Sequence, residues 1–276
     1  MKRAETVSAR AASFCFFEQG KVFAVAVAAL YRRIAQPAPA HSVCLRGYID
    51  RREHVKSGVI SEADIAEVER ELDKNGIEHI RFGELSGDYD AIISLGGDGT
   101  MLNACRLAFE NGKPILSVNF GHLGYMSGLE KRELSAISAL AEGFETESRM
   151  LISITVRRGG REIACVNALN EAVIARRADG DIASTALYCD GTAVCEYRGD
   201  GLIIATPTGS SAYCMSAGGP ILDTKLEAFC VCPICPHSLG AKAMVFSANS
   251  VIEAVCRSER GGNDILLADG RAVTEL

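Results

Sequence analysis

Ala91-Ile-Ile-Ser-Leu-Gly-Gly-Asp-Gly-Thr100 runs a short apolar segment straight into two glycines, an acid, a third glycine and a threonine. The segment Ala91–Leu95 predicts a buried strand, and the helix-compatible stretch Met101–Glu110 follows at once. Glycines at such a turn let the backbone bend sharply and bring its N–H groups close to an anion. The helix start behind them adds unpaired amides and the positive end of the helix dipole. An aspartate repels phosphate in that setting unless it binds a metal or takes a proton. Asp98 therefore reads as a chemical group, and Gly96, Gly97 and Gly99 as the cradle that holds a phosphate beside it. The alternative is a tight strand-to-helix turn in which Asp98 caps the helix.

Outward from this stretch, the first half of the chain alternates strand-like and helix-like runs. Ser13–Phe17 predicts a strand and Val22–Ile34 a helix, broken by the two prolines of Gln36–Ala40. Ser61 suits the N-cap of a helix over Glu62–Asn75, with Asp64 as the capping-box acid and Ile65, Val68 and Leu72 on one face. Gly76 supplies its stop. Strands follow at Ile77–Phe82, Ala91–Leu95 and Ile115–Val118, and the helix after Thr100 ends at Gly112. This alternation predicts a parallel sheet flanked by helices.

From Glu147 the pattern changes to β-runs joined by short turns. Met150–Val156 and Glu162–Leu169 flank Arg158-Gly-Gly-Arg161. Ser184–Cys189 and Ala193–Tyr197 flank Asp190-Gly191, a pair that suits a type I′ hairpin. The expected fold class is α/β, an N-terminal parallel-sheet domain with a β-rich C-terminal domain. The expected limits are residues 1–146, joined by 255–276 folding back, and residues 147–254. In an open parallel sheet the ligand crevice lies beyond the carboxyl ends of the strands, which predicts an active site between the two domains.

With 276 residues, 48% hydrophobic and 23% charged, the chain has the composition of a globular protein with ample core. A net charge of −6 gives no broad attraction to nucleic acid, so any anionic substrate needs a local site. The apolar stretch Val22–Tyr31 is about half of what a bilayer span requires. Eleven cysteines without a basic-then-apolar leader read as reduced and mostly buried, which predicts a cytoplasmic protein with no membrane partner.

Thr206-Pro-Thr-Gly-Ser-Ser-Ala-Tyr-Cys-Met-Ser-Ala-Gly-Gly-Pro220 follows a second buried-strand run, Gly201–Ala205. Hydroxyls, glycines and small side chains in that density leave a surface to which a polar, planar ligand can lie close; a plain serine-rich turn is the alternative. Asn170-Glu171 interrupts the apolar Ala168–Ile174 and offers donors and acceptors suited to ribose hydroxyls, or else bonds the backbone. Asp200, between Gly199 and Gly201, is similar. Asn119-Phe-Gly-His-Leu-Gly-Tyr125 continues the Ile115–Val118 strand, and its Phe120 and Tyr125 suit base stacking or the core. Cys232 and Cys235 lack the partner pair that a zinc site needs, and no Gly-x-Ser-x-Gly elbow is present.

Taken together, these motifs resemble those of the NAD kinases. The resemblance rests on Gly96–Thr100, Asn119–Tyr125, Asn170-Glu171, Tyr197–Gly201, Thr206–Tyr213 with Ser216–Ile221, Pro233–Leu239 and Asp269-Gly270, over roughly Asp88 to Arg271. Gly-Gly-Asp-Gly-Thr alone is shared with lipid and sugar kinases, whereas the Thr206–Ile221 block with Asn170-Glu171 is more specific. The first third departs from the family pattern, and Lys242-Ala243 stands where an Arg-Pro pair is common. The resemblance implies transfer of a phosphoryl group from ATP or polyphosphate to the adenosine-ribose 2′-hydroxyl of NAD. It further implies a divalent cation such as Mg²⁺ and a homo-oligomer, dimer or tetramer. It makes Asp98 catalytic, and Gly96, Gly97, Gly99 and Thr100 the phosphate loop. Asn170, Glu171, Asp200, Thr208, Ser211, Ala212, Tyr213 and Ser216 would hold NAD. A diacylglycerol or sphingosine kinase and a non-catalytic dinucleotide-binding regulator are the competing readings.

Overall fold

The computed structural model describes the backbone of residues 23–30 and 42–47, and in full residues 60–81, 89–120, 126, 128–144, 146–177, 182–238, 240–257 and 264–276. The chain runs through β1 (Phe23–Leu30), β2 (Ser42–Gly47), α1 (Glu62–Lys74), β3 (Glu78–Arg81), β4 (Ala91–Leu95), α2 (Asp98–Asn111), β5 (Ile115–Asn119) and β6 (Leu129–Glu130). A 3-10 helix, Lys131–Ser138, and α3 (Ala139–Glu142) come next. Then follow β7 (Leu151–Arg158), β8 (Arg161–Ala168), β9 (Glu171–Ala175), β10 (Ala183–Cys189), β11 (Thr192–Gly199) and β12 (Gly201–Ala205). After a 3-10 turn at Gly209–Ser211 and α4 (Tyr213–Ser216), the chain ends with β13 (Ala228–Ile234), β14 (Met244–Ser247), β15 (Ile252–Arg257), β16 (Ile265–Ala268) and β17 (Arg271–Glu275). Two compact units result, Arg33–Ser148 and Met1–Arg32 with Arg149–Leu276.

In the first unit the strands pair in parallel in the order β3-β2-β4-β5-β6. Every residue of the inner strand β4 is buried, as a strand covered on both faces requires. Ile93 and Leu95 meet Ile65, Val68 and Leu72 of α1, while Ile92 meets Ala104 and Ala108 of α2 on the opposite face. The expected capping box closes α1: the Asp64 N–H donates to Ser61 Oγ at 3.2 Å, and the Ser61 N–H donates to Asp64 Oδ2 at 3.0 Å.

The second unit is a sandwich of two antiparallel six-stranded sheets, β11-β10-β15-β1-β7-β8 and β14-β13-β12-β9-β16-β17. Ile152, Ile154, Leu187 and Ile252 of one sheet meet Ile174, Leu202, Phe229 and Leu266 of the other. Gly159-Gly160, Asp190-Gly191 and Asp269-Gly270 turn the β7–β8, β10–β11 and β16–β17 hairpins with positive φ at both residues of each pair, the condition of a type I′ turn. The first two hairpins match the sequence expectation.

Two expectations are corrected. The stretch expected as a helix over Val22–Ile34 contains β1, which bonds β15 on one edge and β7 on the other. A short, uniformly apolar run has no period that separates helix from strand, and two available partners decide. The final segment, expected to return to the parallel sheet, instead supplies β15, β16 and β17 to the sandwich. Ser13–Phe17 lies outside the described residues. Among the described residues no helix is long and apolar enough to cross a membrane.

Candidate functional site

In the parallel unit, the glycine turn sits at the carboxyl end of β4. The Gly96 N–H donates to the Val118 carbonyl of β5 at 2.9 Å. Its φ is +146°, and a Cβ there would overlap the Thr100 hydroxyl and stand 2.8 Å from Thr100 Cβ, so only glycine fits. At Gly97 and Gly99 an added Cβ would meet nothing within 4 Å. Among the described residues, the turn thus presents backbone to open space at these two positions. Gly97, not Asp98, occupies the N-cap of α2 and makes no side-chain cap bond. Asp98 opens the helix half-buried, and its Oδ1 accepts the Met126 N–H at 3.2 Å. Asp98 is therefore not the N-cap, and it stands at the positive end of α2, where the Thr100 N–H donates to the Gly97 carbonyl at 2.9 Å. Phe120 packs against the core beside α1, with the Lys131 ammonium 5.7 Å from its ring centre. Residues 121–125 lie outside the described part.

In the sandwich unit, a second set of groups converges where β9 begins and β12 ends. The Thr206 N–H donates to the Asn170 carbonyl at 2.8 Å, and the Thr206 hydroxyl to the Leu169 carbonyl at 2.6 Å. Gly209 then donates its N–H to Thr206 Oγ1 at 3.0 Å. From the β16–β17 turn, Asp269 accepts three backbone N–H groups, those of Leu169 at 2.8 Å, Asn170 at 2.7 Å and Glu171 at 3.2 Å. With the backbone held this firmly, the side chains are left over. Asn170 Oδ1 and Glu171 Oε2 are buried acceptors with no hydrogen-bond partner among the described residues. Such orphans are costly and mark places built for a donor. Burial first, and the Asp269 charge second, push the Glu171 carboxyl up to about 7.

The loop after β12 continues this surface. Thr208 is buried, and its carbonyl accepts the Ser211 hydroxyl at 3.2 Å. Ser210 is consumed structurally, accepting the Leu222 N–H at 2.9 Å. Ala212 leads into α4, where Tyr213 is 45% exposed and Ser216 is exposed, while Cys214 is buried against Cys230 and Cys232.

Asp200 is not brought to this cluster. It sits at the opposite end of β12 from Thr206, roughly 20 Å away at the usual rise per residue. There Arg176 donates to its Oδ1 at 2.6 Å. Cys232 and Cys235 also part company, one buried beneath α4 and the other exposed past the strand end. Among the described residues no cluster of His, Cys, Asp and Glu is arranged to hold a metal ion. Thr206 and Gly209 belong to the loop expected as a ligand surface and Asp269 to a motif of the resemblance, but their bonds to residues 169–171 are not visible in the sequence. Asp269-Gly270 between two β-runs was a legible turn signal; its reach across about a hundred residues of chain was not.

Two family models match the chain in succession. The ATP-NAD kinase N-terminal domain matches residues 48–147, and the ATP-NAD kinase C-terminal domain matches residues 169–276. An NAD kinase of Carboxydothermus hydrogenoformans is 34% identical over 81% of this chain and 75% of its own. An NAD kinase of Ectopseudomonas mendocina is 39% identical over 76% of this chain and 70% of its own. Among solved structures, an NAD kinase from Archaeoglobus fulgidus in complex with ATP aligns with a TM-score of 0.63 and 28% identity, over 84% of this chain and 86% of its own. Yeast NADH kinase complexed with NADH shares the fold, at a TM-score of 0.71 and 20% identity over 87% of this chain and 78% of its own. These matches do not favour a lipid kinase or a non-catalytic regulator. The chain belongs to the NAD kinase family, as an enzyme that phosphorylates NAD.

Proposed function

We propose that Asp98 and the Asn170–Glu171 cluster serve one reaction, phosphorylation of the adenosine-ribose 2′-hydroxyl of NAD by ATP or polyphosphate. The observation that carries this reading is the pair of buried acceptors on Asn170 and Glu171, unpartnered among the described residues. Ribose hydroxyls are donors of the right kind for them. Thr208, Ser211, Ala212, Tyr213 and Ser216 continue the same surface and complete the proposed NAD contacts. Asp200, at the far end of β12, is outside this group within the chain.

A ribose hydroxyl is a poor nucleophile at neutral pH. In the proposed reaction Asp98 takes its proton as the new O–P bond forms, the bond from that phosphorus to the leaving phosphate oxygen breaks, and ADP departs when ATP is the donor. The amides of Gly97 and Gly99, at the start of α2, stabilise charge on the transferred group, while that of Gly96 is held by Val118. A divalent cation such as Mg²⁺ is part of the proposal; a single carboxylate and the substrate's own phosphates are the ligands it commonly uses, and it would neutralise phosphate charge. A homo-oligomer is also proposed, since Met215, Ile221 and Leu226 are large apolar side chains left exposed in the single chain, which a second copy would cover. A cytoplasmic location is supported by the free thiols of the described cysteines.

Kinetics of Asn170→Ala and Glu171→Ala test the reading. Each should raise KM for NAD at least tenfold and KM for ATP far less. An equal rise for both substrates, with a lowered melting temperature, would assign the pair to structure instead.

A further inference from the structure

Asp269 has no assigned part in the reaction, yet it is the group most firmly tied to the residues proposed to hold NAD. It occupies the first position of a two-residue hairpin turn, with φ +47°, between β16 and β17. Its Oδ1 accepts from both Asn170 and Glu171, and its Oδ2 from Leu169. Its own N–H returns a bond to the Glu171 carbonyl at 3.0 Å. This closed set of bonds leaves the 169–171 backbone little freedom, while the Asn170 and Glu171 side chains end in unpartnered buried atoms. A carboxylate that accepts three N–H groups is favoured in its ionised form.

On the reading given above, we propose that Asp269 is a positioning residue for dinucleotide binding: it fixes the backbone beneath Asn170 and Glu171 and sets the charge that Glu171 carries. The titratable groups facing Glu171 are Asp269, from the β16–β17 turn, and the Cys214 thiol of α4; neither is a cation. Burial raises the Asp269 carboxyl above its ordinary value, and the three backbone N–H groups and then Arg271 pull against that rise. Burial is thus the main cost of ionising Glu171, the negative charge of Asp269 adds to it, and among the described residues no cation offsets either.

Hydroxyl donors bind an ionised carboxylate better than a neutral one. NAD affinity should therefore fall as the pH drops below the Glu171 titration near 7, by up to tenfold per pH unit. Removing the charge of Asp269 makes Glu171 easier to ionise, so the fall should move to lower pH.

The test is NAD binding by calorimetry from pH 5 to 9 on the full chain, with Asp269→Asn, Asp269→Glu and Glu171→Gln. Asp269→Asn should shift the midpoint by about half a pH unit or more towards acid, and raise KM for NAD severalfold with kcat at saturation nearly unchanged. Asp269→Glu keeps the charge and should keep the midpoint. Glu171→Gln should remove the pH dependence. A wild-type midpoint in Asp269→Asn, or a pH limb that survives Glu171→Gln, would overturn the proposal. Carboxyl ¹³C NMR of glutamate-labelled, ligand-free protein reads Glu171 directly, its signal identified by loss in Glu171→Gln. A titration at the ordinary glutamate position would refute the proposal even if Asp269→Asn did not fold. Failure of NAD to bind at any pH would count against the proposed function instead, and the NMR titration would still decide the role of Asp269.

Discussion

Gly209 lies so close to Asn170 that a Cβ on the glycine would overlap the Asn170 carbonyl oxygen. The contact ties the loop after β12 to the start of β9, beside the hydroxyl of Thr206. Gly209→Ala must push the two apart, and relief of such overlap typically costs 1–3 kcal/mol. The expected outcome is a lower melting temperature together with at least a tenfold rise in KM for NAD. Normal NAD kinetics in a destabilised variant would separate the contact from binding.

Asp98→Asn keeps the shape of the α2 N-terminus and removes the proton acceptor. Turnover should fall by about 10²–10⁴-fold, while NAD affinity stays within a few-fold, because the carboxylate acts on the reacting hydroxyl more than on the bound ground state. Retention of more than about a tenth of wild-type kcat would remove Asp98 from the role of base.

Glu171 should trade stability for binding. Its carboxyl is raised from 4.5 to about 7 in the folded chain, so the native state binds a proton more tightly than the unfolded one. Stability from this group is full below pH 4.5 and is lost as the pH rises towards 7. Glu171→Gln removes the loss. The variant should be more stable than wild type at pH 8 by about 1–3 kcal/mol, with the gap closing near pH 4, as read by denaturant melts. A gap that does not change with pH would contradict this.

How far the sequence goes is clearest where local chemistry suffices. The capping box of Ser61 and Asp64, the turns at Gly159-Gly160 and Asp190-Gly191, and the glycine turn at Gly96–Gly99 all use residues whose conformational preferences act over a few positions. The sequence of β1 alone suits a helix, because the partners that make it a strand, β7 and β15, lie more than a hundred residues ahead. The same non-local pairing hid Asp269, whose bonds to 169–171 exist only after β16 aligns with β9. Asp200 and Thr206 are few positions apart in sequence, and it takes the strand between them to show that they stand at opposite ends of β12.

Ser61→Ala provides the control for local structure. It should lower stability by about 1 kcal/mol through loss of the α1 cap and leave KM for NAD unchanged, since α1 supplies none of the proposed contacts. A rise in KM comparable to that of Asn170→Ala would mean that the NAD site is not confined to the residues named here.

Acceptor specificity tests the account most directly. Purified protein with ATP and Mg²⁺ is offered NAD, diacylglycerol and fructose 6-phosphate side by side, and products are identified by mass and by the position of the new phosphate. Only NAD should be phosphorylated, at the adenosine-ribose 2′-hydroxyl, and NAD alone should raise the melting temperature without ATP, as a ligand of the folded state does. Phosphorylation of the lipid or the sugar in preference to NAD, or of NAD at another hydroxyl, would contradict it.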